Sequence, residues 1–263
     1  FFERWRHRIY AGVAYLTPQA SRWQVVHVHR KMFLPTYGVF DEARFVETGA
    51  ELRAFDTRFG RVGMVICEEM WHSLPATILA LGGAELLVVV SASPARDFTA
   101  GSGGCPANLE RWEQIALGAA REHGVFVVVA QLVGSEGGKL FPGGSIACGP
   151  DGGVLARGPL LDEAITIASL DASSIDRARV VSPLLSDLEQ MLPHLQRSLD
   201  ATRPGVMALD VTDDSAAEGD PAQPISALVG RGPIPTDDAA LKNPAELELD
   251  LELVERMLVE FIR

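Results

Sequence analysis

Cysteine is scarce in this 263-residue chain, which holds only Cys67, Cys105 and Cys148. An odd count in a chain of this length is no disulfide framework, and no Cys or His spacing matches a metal site. A reducing, cytoplasmic setting and no bound metal are therefore expected. Positive charge is also short, with 23 Lys and Arg against 35 Asp and Glu and a formal net charge of −12. Such a surface repels phosphate backbones and anionic lipid, so neither nucleic acid nor a membrane is an expected partner. No apolar run approaches the roughly 20 residues of a membrane span. The opening, Phe-Phe-Glu-Arg-Trp-Arg, has neither a Met nor the pattern of a signal peptide. No internal repeat is present.

What the chain does have is core-forming material. Hydrophobic residues make up 47% and charged residues 22%, an ordinary globular balance that can bury long apolar strands. Strand-like segments fall at 9–16, 24–29, 53–59, 62–66, 85–90, 125–130, 141–149, 154–156 and 164–170. Helical spacing follows a polar turn at Glu68 and runs to Leu81, where Gly82-Gly83 stops it. A second helix is expected over 108–123, with Leu109, Trp112, Ile115, Ala116 and Ala119 on one face and Gly124 as its stop. A short third is expected over 171–180. Alternating strands and helices, with strands that are continuously apolar, argue for an α/β layered fold. Near residue 200 the composition changes to Asp, Ala, Pro and Gly. Between Asp200 and Glu252 the basic residues are only Arg203, Arg231 and Lys242. Residues 1–199 read as the folded domain, 200–245 as an acidic linker, and 246–263 as an amphipathic helix carrying Leu253, Met257, Leu258 and Phe261.

Three residues sit where loops leave strands. Cys67 ends the apolar segment 62–66 and precedes a polar turn, the place where α/β proteins bind ligands. A strand-to-helix elbow would expose its thiol, a helix N-terminus would favour the thiolate, and the following N–H groups would hold an oxyanion. A free cysteine is nevertheless more often a packing residue. Lys31 also follows a strand, ahead of a Pro/Gly turn. Alone it reads as a solvated charge, but beside a thiolate it would stabilise negative charge. Glu42 lies eleven residues further and alone reads as a surface acid.

Together these residues resemble the nitrilase, or carbon–nitrogen hydrolase, superfamily. The matching segments are HRKMFLPTYGVFDEARF from His29, GMVICEEMWH from Gly63 and VVVSASP from Val88, in the family's order and spacing. A weaker continuation is GGSIACGPDGGVLA from Gly143. The resemblance covers roughly residues 9–179. It implies a four-layer α-β-β-α sandwich, usually oligomeric, with Cys67 forming a thioester. Lys31 and the Glu68 N–H would hold the tetrahedral oxyanion, and Glu42 would match the acidic residue beside the lysine. The family's first strand, first helix and general-base Glu have no match here. Glu3 lies only 28 residues before Lys31 and reads as a surface acid. Without a base, turnover would fall about 10²–10⁴-fold.

Within the superfamily the segment LPTYGVFDE most resembles the glutaminase domain of glutamine-dependent NAD synthetases. That likeness places Tyr37, Phe40, Glu68 and Ser93 in a glutamine pocket, with Arg96 as a candidate partner for the substrate carboxylate. It implies glutamine as substrate, ammonia as product and a synthetase domain as the recipient. ATP would belong to that domain, whose SGGxDS phosphate loop is absent from this sequence, and the hydrolase part would need no cofactor. Two other readings stay open: an amidase acting on another small amide, and a catalytically silent assembly or regulatory module. Cys105 and Cys148 read as a loop thiol and a core thiol, and Trp71 and Trp112 as packing.

Overall fold

A computed structural model describes residues 1–19, 22–96 and 106–202. Cys105, most of the expected linker and the expected C-terminal helix lie outside the described residues. The described residues divide into two compact units. One combines Phe1–Tyr15 with His27–Leu192 and carries the candidate site; the other takes in the described parts of 16–26 and 193–202.

The centre of the first unit is a mixed six-stranded sheet. Its strands are β4 (Phe55–Thr57), β5 (Gly60–Ile66), β6 (Leu86–Ser91), β7 (Phe126–Gln131), β10 (Ile146–Cys148) and β11 (Val154–Arg157), in the order β11-β10-β7-β6-β5-β4. β5, β6 and β7 run parallel, with Val65 opposite Val89 and Val89 opposite Val129. Both faces of these strands are covered, which is why they read as unbroken apolar runs. Helices α1 (Ser73–Leu81) and α2 (Ala107–His123) cover one face. Leu79, Trp112, Ala116 and Ala120 pack there against Val65, Leu87, Val89, Val127 and Val129, all nearly inaccessible. On the other face Phe55, Val62 and Met64 meet Val13 and Tyr15. Those two belong to β2 (Arg8–Gln19), the middle strand of a second sheet with β1 (Phe2–Trp5) and β3 (Arg22–Arg30). The layering is thus helix, sheet, sheet, three of the four layers of the expected sandwich. Strands β8 (Val133–Glu136) and β9 (Lys139–Pro142) form a separate hairpin.

Most expected elements are present, and α2 closes at Gly124 with a left-handed φ of 58°. Four expectations need correction. The segment 141–149 is not one strand, because Gly143 and Gly144 take φ of 72° and 76° and turn the chain between β9 and β10. The segment 164–170 forms no strand: Ile165 and Ile167 alternate as a strand would, but they are 93% and 84% exposed and pair with nothing that could bury them. The helix expected over 171–180 is present as α3 (Ser173–Val181), but a longer helix that was not expected follows it, α4 (Leu184–Ala201), which retains Pro193 in its interior. Finally, Glu3 is no free surface acid. Its carboxylate takes two 2.7 Å bonds from the Arg30 guanidinium, which also lies 4.6 Å over the Tyr10 ring.

Candidate active site

Cys67 stands at the carboxyl edge of β5, next to the edge of β6. Its φ is +50°, an uncommon backbone state for a side chain other than Gly or Asn, costing on the order of 1–2 kcal/mol. Such strain at a strand end turns the thiol out of the sheet plane. The chain does not enter an α-helix directly, as the sequence had suggested. A single 3₁₀ turn, Cys67–Trp71, intervenes, and α1 begins only at Ser73. The dipole of α1 therefore does not start at the thiol. What touches the sulfur is Ser91, at the end of β6, whose Oγ–H points at Sγ from 3.5 Å. Ser91 is buried, and the sequence gave it no role beyond ending a strand.

Lys31 follows β3 in the other sheet. Its backbone is tied on both sides, the N–H to Ala11 O at 2.8 Å and the carbonyl to Gly49 N at 2.8 Å. The side chain is 3% exposed, and its Nζ donates to both oxygens of Glu42 at 2.7 and 2.6 Å. A buried ammonium persists only with such a partner. Glu42 is in turn placed by its own N–H, which donates to Pro35 O at 3.0 Å.

The two strand ends are joined by a residue that sequence reasoning passed over. Glu69 is completely buried, and each of its oxygens is satisfied. Oε1 accepts from Met32 N at 2.6 Å; Oε2 accepts from Ile66 N at 2.6 Å and from His29 Nε2 at 2.7 Å. Met32 adjoins Lys31 and Ile66 adjoins Cys67. One carboxylate thus fixes the lysine loop of one sheet against the cysteine elbow of the other. With His29 only 2% exposed, this is a fully enclosed polar cluster, costly to break and geometrically demanding.

A cleft opens over Cys67, lined by Pro35, Tyr37, Phe40, Glu68, Trp71, Ser93 and Arg96. Six of the eight residues expected from sequence share this cleft: Cys67, Tyr37, Phe40, Glu68, Ser93 and Arg96. Lys31 and Glu42 are not on its lining; their link to it runs through Pro35. Trp71, read from sequence as packing, lines the cleft and also meets Trp112 edge-on at 5.6 Å. Burial, and then the negative charge of Glu68, push the Tyr37 phenol above its ordinary range. Two charged atoms here are buried without a hydrogen-bond partner among the described residues: Glu68 Oε2 and Arg96 Nε. An open acceptor with negative charge and an open donor with positive charge therefore line the same cleft as the thiol.

Among the described residues no group of three or more His, Cys, Asp or Glu is arranged to hold a metal ion. No described helix is long and apolar enough to cross a membrane.

Comparison with known proteins identifies the family and the fold. The carbon–nitrogen hydrolase family pattern matches residues 1–180. Glutamine-dependent NAD(+) synthetase of Thermotoga maritima is 33% identical over 162 residues, covering 61% of this chain. The chain spans only about a quarter of that relative, 27% of its length. N-carbamoylputrescine amidase of Solanum lycopersicum is 24% identical over 213 residues, 78% of this chain and 69% of its own length. Among solved structures, a carbon–nitrogen hydrolase from Helicobacter pylori superposes with a TM-score of 0.58 at 24% identity, covering 71% of this chain and 72% of its own, which establishes the fold. The chain is a carbon–nitrogen hydrolase, a member of the nitrilase superfamily.

Proposed function

We propose that this domain is a glutaminase, cleaving the side-chain amide of glutamine to glutamate and ammonia. The observation that carries the reading is a pair of atoms in the cleft over Cys67, Glu68 Oε2 and Arg96 Nε, buried without a hydrogen-bond partner among the described residues. A buried polar atom without a hydrogen bond is costly, and the cost is recovered when a ligand supplies one. A carboxylate suits an α-ammonium group, and a guanidinium suits an α-carboxylate. An amide substrate carrying both at one end is an α-amino acid with a side-chain amide.

The chemistry follows from the residues. The Cys67 sulfur attacks the amide carbon, and the developing oxyanion is met by the Lys31 ammonium and the Glu68 N–H. Glu42 keeps Lys31 charged and in place. The C–N bond breaks, the thiol's proton ends on the leaving nitrogen, and ammonia departs, leaving a thioester. Water then adds to the thioester carbon, releasing glutamate and restoring the thiol. The ammonia would pass to a synthetase domain in a homo-oligomeric enzyme that amidates an NAD precursor; the Thermotoga relative is named a glutamine-dependent NAD(+) synthetase. Similarity to an amidase keeps a second reading in view, hydrolysis of a different small amide, though a cleft for a neutral amide has no use for the two open charges.

The test is intact-mass analysis after incubation with an electrophilic glutamine analogue. It requires a nucleophile and a formed pocket rather than turnover. One adduct, absent in Cys67→Ala and suppressed by excess glutamine, is expected. A Cys67 that reacts with iodoacetamide but ignores the analogue would leave the other-amide reading in front.

A further inference from the structure

Ser93 and Arg96 belong to a loop with no regular structure, yet both must face a ligand in fixed directions. The loop is held from outside. Ala95 N donates to Leu140 O at 2.7 Å. The stronger hold is Asn108, in the first turn of α2 and only 5% exposed. Its Oδ1 accepts from Arg96 N at 3.0 Å, while Nδ2 donates to Pro94 O at 2.9 Å and to Ser93 Oγ at 3.1 Å.

The direction of these bonds is fixed by chemistry. A backbone N–H only donates, so the Arg96 N–H must face the amide oxygen. The Pro94 carbonyl only accepts, so it must face the amide nitrogen. Ser93 lies on the nitrogen side and is therefore an acceptor toward Asn108. Its own O–H is left to donate elsewhere, and Ser93 lines the cleft beside Arg96.

We infer that Asn108 is a specificity-determining residue: by donating to Ser93 Oγ, which leaves the Ser93 O–H free to donate, and by seating Arg96, it presents two donors at this end of the cleft and so favours amides bearing a carboxylate. Asn108 touches no substrate; it acts through Ser93 and Arg96. The inference rests on the glutaminase reading and extends it, assigning the carboxylate to the Ser93–Arg96 side and the ammonium to Glu68.

The experiment measures how well ligands protect Cys67 from iodoacetamide in the full chain. The ligands are glutamine and 4-aminobutanamide, which is glutamine without its carboxylate. The variants are Asn108→Ala, which removes the clamp, and Asn108→Asp, which keeps an acceptor for Arg96 N–H but cannot donate to Ser93. Ser93→Ala serves as a third. Losing a hydrogen bond to a charged group should weaken glutamine protection roughly tenfold to a hundredfold. Protection by 4-aminobutanamide should move less than about threefold, a split that general loosening of the fold would not produce. Adding Asn108→Ala to Ser93→Ala should cost less than it does alone. Equal losses for both ligands, or glutamine protection unchanged in the Asn108 variants, would overturn the inference. If neither Asn108 variant folds, Ser93→Ala alone decides, because an unchanged preference for glutamine there removes the Ser93 donor on which the inference depends. A natural chain that already protects equally with both ligands would instead overturn the glutaminase reading on which the inference stands.

Discussion

The two halves of the cleft differ in how their polar groups are spent. In the reacting half Lys31 is paired with Glu42, and Glu69 accepts from His29, Met32 and Ile66. In the recognising half Glu68 Oε2 and Arg96 Nε are buried without a hydrogen-bond partner among the described residues. Closed valences hold geometry, and open ones await a ligand. A reacting group displaced by 1 Å loses rate, so its supports should be saturated before substrate arrives. A recognising group must keep its bond for the substrate, so it carries a desolvation cost in the free protein.

The comparison can be broken at either half. Cys67→Ala should abolish covalent labelling and hydrolysis outright, since both need the thiolate and the neighbouring Ser91 hydroxyl is a far weaker nucleophile; intact mass and ammonia release read both. Lys31→Met should lower turnover about 10²–10³-fold, the usual cost of one oxyanion donor, with ligand protection little changed. It would also leave Glu42 without its cation. Glu69→Gln turns an acceptor into a donor facing backbone N–H groups. It should slow Cys67 chemistry about tenfold to a hundredfold and lower Tm, while ligand protection moves less than about threefold. Arg96→Ala should do the reverse, weakening glutamine about tenfold to a hundredfold while sparing the iodoacetamide rate of the free protein. Tyr37→Phe should have the smallest effect, about threefold on glutamine protection, because the ring remains and only the hydroxyl facing Glu68 is lost. If Glu69→Gln changed affinity while Arg96→Ala changed rate, the division into halves would be wrong.

The sequence revealed the reacting residues more clearly than their supports. Cys67, Lys31 and Glu42 each follow a recognisable strand or turn, and their spacing carries the family resemblance. Glu69 looked identical to Glu68 in the text CEEMW, although one is a fully enclosed hub and the other lines the cleft. Which of two neighbouring acids turns inward depends on a 3₁₀ turn that periodicity does not announce. His29 meets Glu69 across 40 residues, and Asn108 meets Ser93 across 15, so neither contact leaves a local signature. The strands of the core sheet were legible because both of their faces are buried. Residues 164–170 were misread because alternation signals a strand only where a neighbouring strand exists to pair with it.

The account's central claim is that the cleft over Cys67 reads two opposite charges at the far end of an amide. Protection of Cys67 from iodoacetamide by four amides tests it most directly: glutamine, glutaramate without the amino group, 4-aminobutanamide without the carboxylate, and butyramide without either. The account predicts that glutamine protects best, that each single deletion costs roughly tenfold or more, and that butyramide is weakest. Four ligands protecting equally, or butyramide protecting best, would contradict it.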